Sequence, residues 1–348
     1  MSATTQPTTF SDLYTDLQNR VRAQTGVTAV ENIAKRYINS ALYQIAINTD
    51  YKLPWLDRRA TLITRAPYDT GTASISTSAR TTVTGASTLW NTAVTGMGYN
   101  NVNVGAKMIF TGSTQNVYRV SAVGGDTSIT IADRYIEESA LSAATYKAFE
   151  DEYALASDFL RPVDYRMFSD ATRLALVSRR EFNARYPRPN VSGRPRVACI
   201  LDLSFSSSTT PVRKVQLYPY PDAVYMIPYD YITSNLVVTS AGVEAAQFSG
   251  DSDEPNMPIR FRHVIVLNAL VQWYRDRRND ARSQEALALY EAEKDRMVND
   301  QDVATNATAQ IQPRISHYVG RARTPYRQRG GRMNISVNNS FDRMEDYR

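Results

Sequence analysis

Between about Thr70 and Glu150 the chain changes texture: Thr, Ser, Gly and Val dominate, charge is sparse, and the apolar residues come in short runs. "TASIS", "RTTVTG", "AKMIF", "VYRVSAV", "SITIA" and "ATYKAF" are each strand-sized, and Gly-rich turns such as "VGGDTS" separate them. A stretch of this kind buries its apolar residues by pairing strands, so the spacing predicts a small all-β domain. Helical patterns lie on both sides of it, which makes it an insertion. The flanking "RAPYDT" and "DEYALASDFLRPVDYRMF" are then distant in sequence and adjacent in the fold.

Ahead of the insertion, "TFSDLYTDLQNRV" places Phe10, Leu13, Tyr14, Leu17 and Val21 at helical spacing, with Thr9 and Asp12 related as in a capping box. After Gly26, "VENIAKRYINSALYQIA" sets Ile33, Tyr37, Ala41, Leu42 and Ile45 on one face of a second helix, expected to pack on the first. Leu53-Pro54-Trp55 ends the helical run and leads into the extended "RRATLITR".

Behind the insertion comes a second β region, "RPRVACILDLSF", then "VRKVQLYPYPDAVYMIPYDYI", then "SNLVVTS". Period-two alternation in "KVQLY" and "VYMIPY", with Pro219, Pro221 and Asp222 between them, predicts a hairpin. The segment from Ile259 to Arg275 is apolar on two stripes: Val264, Leu267, Val271 and Tyr274 on one, Val266, Leu270 and Trp273 on the other. A helix of that kind is enclosed, by its own domain or by neighbouring subunits. "DARSQEALALYEAEKDRMV" predicts a further helix with Leu289 and Tyr290 inward. The segmentation is therefore 1–69, 70–150, 151–299 and a polar tail, 300–348.

Little in the chain carries catalytic chemistry. The histidines are His263, at the start of the apolar helix, and His317, in the tail; with Cys199 they do not form a zinc site by local spacing. No Walker loop, no GxGxxG after a strand and no Ser-His-Asp pattern occurs. Cys199, in "RVACILDL", reads as a packed strand position. Asp251, Asp253 and Glu254 could ligate a hard cation but lack an EF-hand's ligand set, so a solvated loop is expected. Glu137-Glu138 and Glu150-Asp151-Glu152 read as surface charge, and Trp55 and Trp90 as core or interface anchors rather than sugar platforms. No enzyme activity, metal or cofactor is expected. The opening MSATTQPTTF has no signal-peptide pattern and no stretch is apolar enough to cross a bilayer, so the expectation is a cytosolic product with no membrane partner.

Of 40 basic residues only six are lysine, and Tyr is abundant at 22. Both lean toward a contact surface. The net charge of +5 is local: Arg314, Arg321, Arg323, Arg327, Arg329 and Arg332 fall in "QPRISHYVGRARTPYRQRGGRMN", and without them 34 bases face 35 acids. Tyr318 and Tyr326 are interleaved, as in segments that bind single-stranded nucleic acid by charge and stacking. The flanking prolines and the acidic turn in "NISVNNSFDRMEDYR" favour an extended arm that orders on a protein, with DNA second.

The order "YINSALYQIA", "WLDRRATLITR", "YALASDFLRPVDYR", "RPRVACILDL", "KVQLYPYPDAVYMIPYDYI" and "EPNMPIRFRHVIVLNALVQWYRDRRNDARSQEALALYEAEKDRM" resembles the head-to-tail adaptor (connector, neck) proteins of tailed bacteriophages, over about Phe10 to Met297. The Thr70–Glu150 stretch is similar to a small β module met in phage virion proteins. One departure stands out: relatives tend to show Tyr-x-Leu-Pro-x-Asp-Phe, and Ala156 occupies the proline's place. The resemblance implies an α+β fold, with a helical bundle core of two N-terminal and two C-terminal helices, a β hairpin/sheet region, an inserted barrel-like or Ig-like domain and an extended C-terminal arm. It implies a virion protein at the neck, assembled in the host cytoplasm, forming a ring, usually dodecameric, below the portal. Partners would be the portal protein, tail or nozzle proteins, other copies of the chain, and double-stranded DNA passing through without specific binding. Portal docking would fall to Arg314, Tyr318, Arg321, Arg323, Tyr326, Arg327, Arg329 and Arg332, and packing between subunits to Trp273, Tyr274 and Arg275. Rival classes are a tail tube or terminator protein, a nucleic-acid-binding protein using the tail, and a carbohydrate-binding β protein using Trp90.

Overall fold

The computed structural model describes residues 6–23, 26–48, 53–111, 116–163, 174–187, 190–201, 204–206 and 209–306. The chain is a mixed α+β protein whose described residues gather into two compact units, one drawn from Met1–Pro54 with Phe248–Arg348 and one from Trp55–Gln247. The expected boundaries at 69/70 and 150/151 both fall inside the second unit. Five α-helices are described: α1 (Phe10–Arg20), α2 (Thr28–Ile47), α3 (Arg179–Arg185), α4 (His263–Asp276) and α5 (Asp280–Asn306).

In the first unit, α1 starts where its capping box requires. The Thr9 hydroxyl accepts the Asp12 N–H at 3.3 Å and the Asp12 carboxylate accepts the Thr9 N–H at 3.0 Å. Two more first-turn donors, the N–H groups of Phe10 and Ser11, reach the carbonyls of Asp253 (2.8 Å) and Asp251 (2.9 Å). The helix buries Phe10, Leu13, Tyr14 and Leu17. On α2 the buried stripe is Ala34, Tyr37, Ile38, Ala41, Leu42 and Ile45; Ile33, expected on that face, is exposed, because it lies about 100° round the helix from the centre of that stripe. Helix α4 is enclosed by its own unit, buried from Val264 through Val271 and again at Trp273, and it packs against α1, α2 and α5. On α5 the inward residues follow a helical stripe of Ser283, Ala286, Tyr290 and Met297, so Leu289, expected inward, is turned out to solvent.

The acidic loop is solvated at Asp251 and Glu254, which are exposed, but not at Asp253. Asp253 is 2% exposed, and its Oδ2 accepts the N–H groups of Ser249 (2.8 Å) and Gly250 (2.7 Å). Asp251 pairs with Lys35 at 2.7 Å, and Glu254 with the buried Arg262 at 3.0 Å. The three acids face three different partners, so they are spread apart rather than converged on a cation. Asp251 and then Glu31 hold the Lys35 ammonium above its ordinary value.

The second unit contains strand β1 (Asp57–Ile63) and then a seven-stranded antiparallel sheet of β2 (Thr72–Ile75), β3 (Thr82–Ala86), β4 (Lys107–Phe110), β5 (Val117–Gly125), β6 (Ser128–Ile131), β7 (Leu141–Ala144) and β8 (Tyr146–Phe149), in the order β7-β2-β3-β6-β5-β4-β8. Only Thr145 separates β7 from β8, yet they form opposite edges of the sheet. Two Cα steps span at most about 7 Å, so the sheet must curl into a half-barrel to bring its edges together there. Its interior holds Trp90, Phe110, Met108, Ile129 and Ile131, all buried. Gly85 on β3 is required by close approach: a Cβ there would stand 2.7 Å from the Trp90 ring.

Two smaller sheets complete this unit. In the first, β1 and β10 (Phe159–Pro162) flank β16 (Met226–Thr233). The other runs β11 (Ala175–Leu176), β12 (Val197–Ile200), β15 (Lys214–Tyr218), β9 (Glu152–Ala154). Short hairpins join β13 (Ser204–Ser206) to β14 (Thr209–Val212) and β17 (Val237–Val238) to β18 (Glu244–Ala245). The expected hairpin across Pro219 and Pro221 is therefore not made. Both edges of β15 are taken by β12 and β9 and both edges of β16 by β1 and β10, so the two alternating runs belong to different sheets. Cys199 lies fully buried in β12. The Ala156 departure has a structural counterpart: its N–H donates to the Tyr229 hydroxyl at 2.8 Å, a bond a proline there could not make.

Candidate interaction surface

Nothing resembling a catalytic centre is assembled among the described residues. No group of three His, Cys, Asp or Glu side chains there could hold a metal. His263 Nε2 lies 3.2 Å from Glu293 and is spent on holding α4 to α5. The backbone carbonyls of Glu137 and Glu138 both accept from Arg80, and both carboxylate oxygens of Glu150 accept from Arg65 Nη1, at 2.5 and 2.7 Å. Asp151, expected on the surface, is 1% exposed, with Lys107 Nζ at 2.7 Å and Gln216 Nε2 at 2.8 Å. It pins the half-barrel strand β4 to β15. Trp90 is entirely buried, its indole N–H donating to Tyr146, so no sugar can stack on it in the folded state.

What the helical unit does present is a groove of about 420 Å³ at the end where the α1–α2 and α4–α5 connections meet, lined by Val21, Val30, Ile33, Trp273, Tyr274 and Arg282, among others. Two of the three residues expected at an interface between subunits, Trp273 and Tyr274, line it, and Arg275 follows them in the chain. Trp273 is 5% exposed, edge-on to Tyr37 at 5.5 Å and covered by the Arg277 guanidinium 3.5 Å above its ring. It is a support for the groove, whereas Tyr274 is half-buried in its lining and Arg275 is exposed.

Arg277 and Arg282 line the groove, and Arg22, Arg275 and Arg278 adjoin its lining residues along the chain; all five are exposed, and among the described residues none has a carboxylate partner. Asp276 accepts a hydrogen bond from the Tyr37 hydroxyl, which burial and then that bond push above its ordinary pKa. The backbone makes the arginines more telling. Arg22 (φ 52°) and Arg278 (φ 54°) each occupy the left-handed position just past a helix end, where glycine or asparagine is usual. A long side chain there costs roughly 1 kcal/mol. Two turns accept that cost, and both place an arginine there.

Neither a protein-family model nor any curated protein matches the chain.

The docking residues expected in the tail, Arg314, Tyr318, Arg321, Arg323, Tyr326, Arg327, Arg329 and Arg332, lie outside the described residues, as does His317. Arg22, Arg277, Arg278 and Arg282 were not singled out from the sequence. The available signal was the density of arginine in "YRDRRNDAR", between two strongly helical patterns. No helix among the described residues is long and apolar enough to cross a membrane.

Proposed function

We propose that the chain is a structural protein of the tailed-phage virion, a head-to-tail adaptor that forms a dodecameric ring beneath the portal and surrounds the path of the DNA. The observation that carries this reading is that helices from the two ends of the chain, α1 and α2 with α4 and α5, pack as one unit around an enclosed α4. In this reading they are the adaptor's helical bundle, residues 70–150 are an inserted barrel-like module, and residues 151–299 complete the adaptor domain. The unpartnered arginines and the absence of an assembled catalytic group among the described residues fit a protein whose work is contact.

Helix α5 runs to Asn306, past the expected boundary at 299/300; the arm that follows it docks on the portal in this proposal, through Arg314, Tyr318, Arg321, Arg323, Tyr326, Arg327, Arg329 and Arg332. A segment of this composition loses its conformational entropy only on docking, which makes ring assembly conditional on a completed portal. Repetition around a ring turns individually weak contacts into a stable joint.

Native mass spectrometry of the chain mixed with the portal protein encoded beside it tests the reading, with and without the residues from Arg314 onward. A fixed number of copies per portal ring, lost on truncation, is expected. A truncated chain that still joins the portal removes the arm's role. No complex in either case returns the chain to the tail-protein and DNA-binding classes, which salt-dependent DNA binding would then separate.

A further inference from the structure

The groove at the joined ends of α1–α2 and α4–α5 has two kinds of lining. One is apolar: Val21, Val30, the exposed Ile33 and the half-buried Tyr274. The other is cationic, supplied by the exposed Arg277 and Arg282. Each guanidinium lies against an aromatic ring, Arg277 at 3.5 Å from the centre of Trp273 and Arg282 at 5.8 Å from that of Tyr274. Such contacts restrict the side chains and leave the N–H donors along the guanidinium edge for a carboxylate. The stretches 21–33 and 273–282 that form the groove hold five arginines and three acids. Two of those acids are already engaged, Glu31 with Lys35 at 2.8 Å and Asp276 with the Tyr37 hydroxyl.

A phosphate backbone would satisfy the arginines and leave the apolar lining in water, whereas an acidic segment with large apolar side chains satisfies both. The chain carries one such segment. Beyond Asn306 its only acids are Asp342, Glu345 and Asp346, and they are interleaved with Phe341, Met344 and Tyr347 in "FDRMEDY". With Arg343 as its single base, this segment is opposite in charge to the groove. It is also within reach. Helix α5 starts at the groove and carries the chain about 40 Å to Asn306. The roughly 35 residues from there to Phe341 span up to about 120 Å.

We infer that residues 341–347 dock in the groove of the same molecule. Phe341, Met344 and Tyr347 cover Val21, Val30 and Ile33, and the carboxylates of Asp342, Glu345 and Asp346 meet Arg277, Arg282 and the arginines beside them. The inference goes beyond the adaptor reading and does not depend on it. A contact within one chain needs little intrinsic affinity, because the connecting residues give the segment an effective concentration that a free peptide lacks. In the adaptor reading, the arginines from Arg314 to Arg332 lie between α5 and the docked segment. The arm is then held as a loop on its own helical unit until the portal takes it.

Disulfide trapping in the full-length chain alone tests this, because the native Cys199 is buried and does not compete. Ser340→Cys, just ahead of the docked residues, is combined in turn with Ala23→Cys and with Ile33→Cys in the groove. Expected from at least one pair is a cross-linked monomer that forms at a rate independent of protein concentration. Changing Asp342, Glu345 and Asp346 to Lys slows it at least tenfold. Arg277→Glu with Arg282→Glu does the same, and the two sets of changes together restore the rate. Arg282→Glu alone, at an exposed position, slows it at least threefold and guards against a disturbed Trp273. No cross-linked monomer, or one whose rate ignores both charge changes, overturns the docking. A cross-linked dimer that grows with concentration places the segment in the groove of a second copy and overturns the intramolecular contact. Binding of duplex DNA that is lost with Arg277→Glu and Arg282→Glu, with no cross-link, assigns the groove to phosphates and also overturns it. The portal takes no part in these measurements, so the adaptor reading stands or falls separately.

Discussion

The Trp90 indole N–H donates to the Tyr146 hydroxyl at 2.8 Å, and that hydroxyl in turn donates a hydrogen bond to the Thr70 carbonyl at 2.6 Å. Trp90 sits in the loop after β3 and Tyr146 opens β8, so the chain of bonds ties the curled sheet across its interior. Burial pushes the Tyr146 hydroxyl well above its ordinary pKa, and it stays a donor throughout the usual pH range. Tyr146→Phe is expected to cost about 1–3 kcal/mol, since it strands a buried indole donor. Combining it with Trp90→Phe should cost less than the two single changes summed. Urea unfolding of the four variants measures the coupling, and strict additivity would show that the bond contributes nothing.

Lys107 and Asp151 form a second buried junction, 2.7 Å apart at 13% and 1% side-chain exposure. Lys107→Met leaves the Asp151 carboxylate charged and buried, which costs on the order of 3–5 kcal/mol. Lys107→Met with Asp151→Leu should recover most of that loss. Thermal melts of the single and double variants decide it; a single variant as stable as the parent contradicts the buried pairing.

The cap of α1 gives a pH dependence. Burial raises the Asp12 pKa, but the hydrogen bonds from Thr9 and Thr8 outweigh it and leave the carboxyl below its ordinary value. The folded-state value is thus lower than the unfolded one. The stability it contributes is fully present above the unfolded value, roughly pH 4, and is lost as pH falls through the folded one. Asp12→Asn should lower stability by about 1 kcal/mol at pH 7, with the gap closing below pH ~4. Tm of both proteins across pH 3–7 reads this; a gap that is constant with pH is the contrary result.

Asp253 organises the loop that receives α1. Asp253→Ala removes the acceptor for the Ser249 and Gly250 N–H groups and is expected to cost about 2 kcal/mol. Since Phe10 donates to the Asp253 carbonyl, the first turn of α1 should also lose protection in amide hydrogen exchange. Added divalent cation should change neither variant nor parent, and metal-dependent stabilisation of the parent would reopen the cation reading.

The elements legible in the sequence were those encoded within a few residues. The Thr9–Asp12 box, the 3.6-residue spacing of Leu13, Tyr14 and Leu17, the two-sided apolar pattern of α4 and the short runs of the half-barrel each depend on neighbours along the chain, and each was found where the spacing put it. The candidate surface was legible only in part: Trp273 and Tyr274 were singled out, but Val21 and Val30 are far from them in sequence and join them only because α1, α2 and α4 pack together. Pairing also belonged to the tertiary structure. The runs of β15 and β16 look like one hairpin, and only the competition of β12, β9, β1 and β10 for their edges separates them. Charge burial followed the same logic, since Asp151 and Asp253 read as surface acids until Lys107, Gln216 and the Ser249–Gly250 amides are brought to them. Local hydrogen bonds and side-chain period are properties of a short segment, whereas strand partners and the desolvation of a charge depend on groups far along the chain, and the fold alone brings those together.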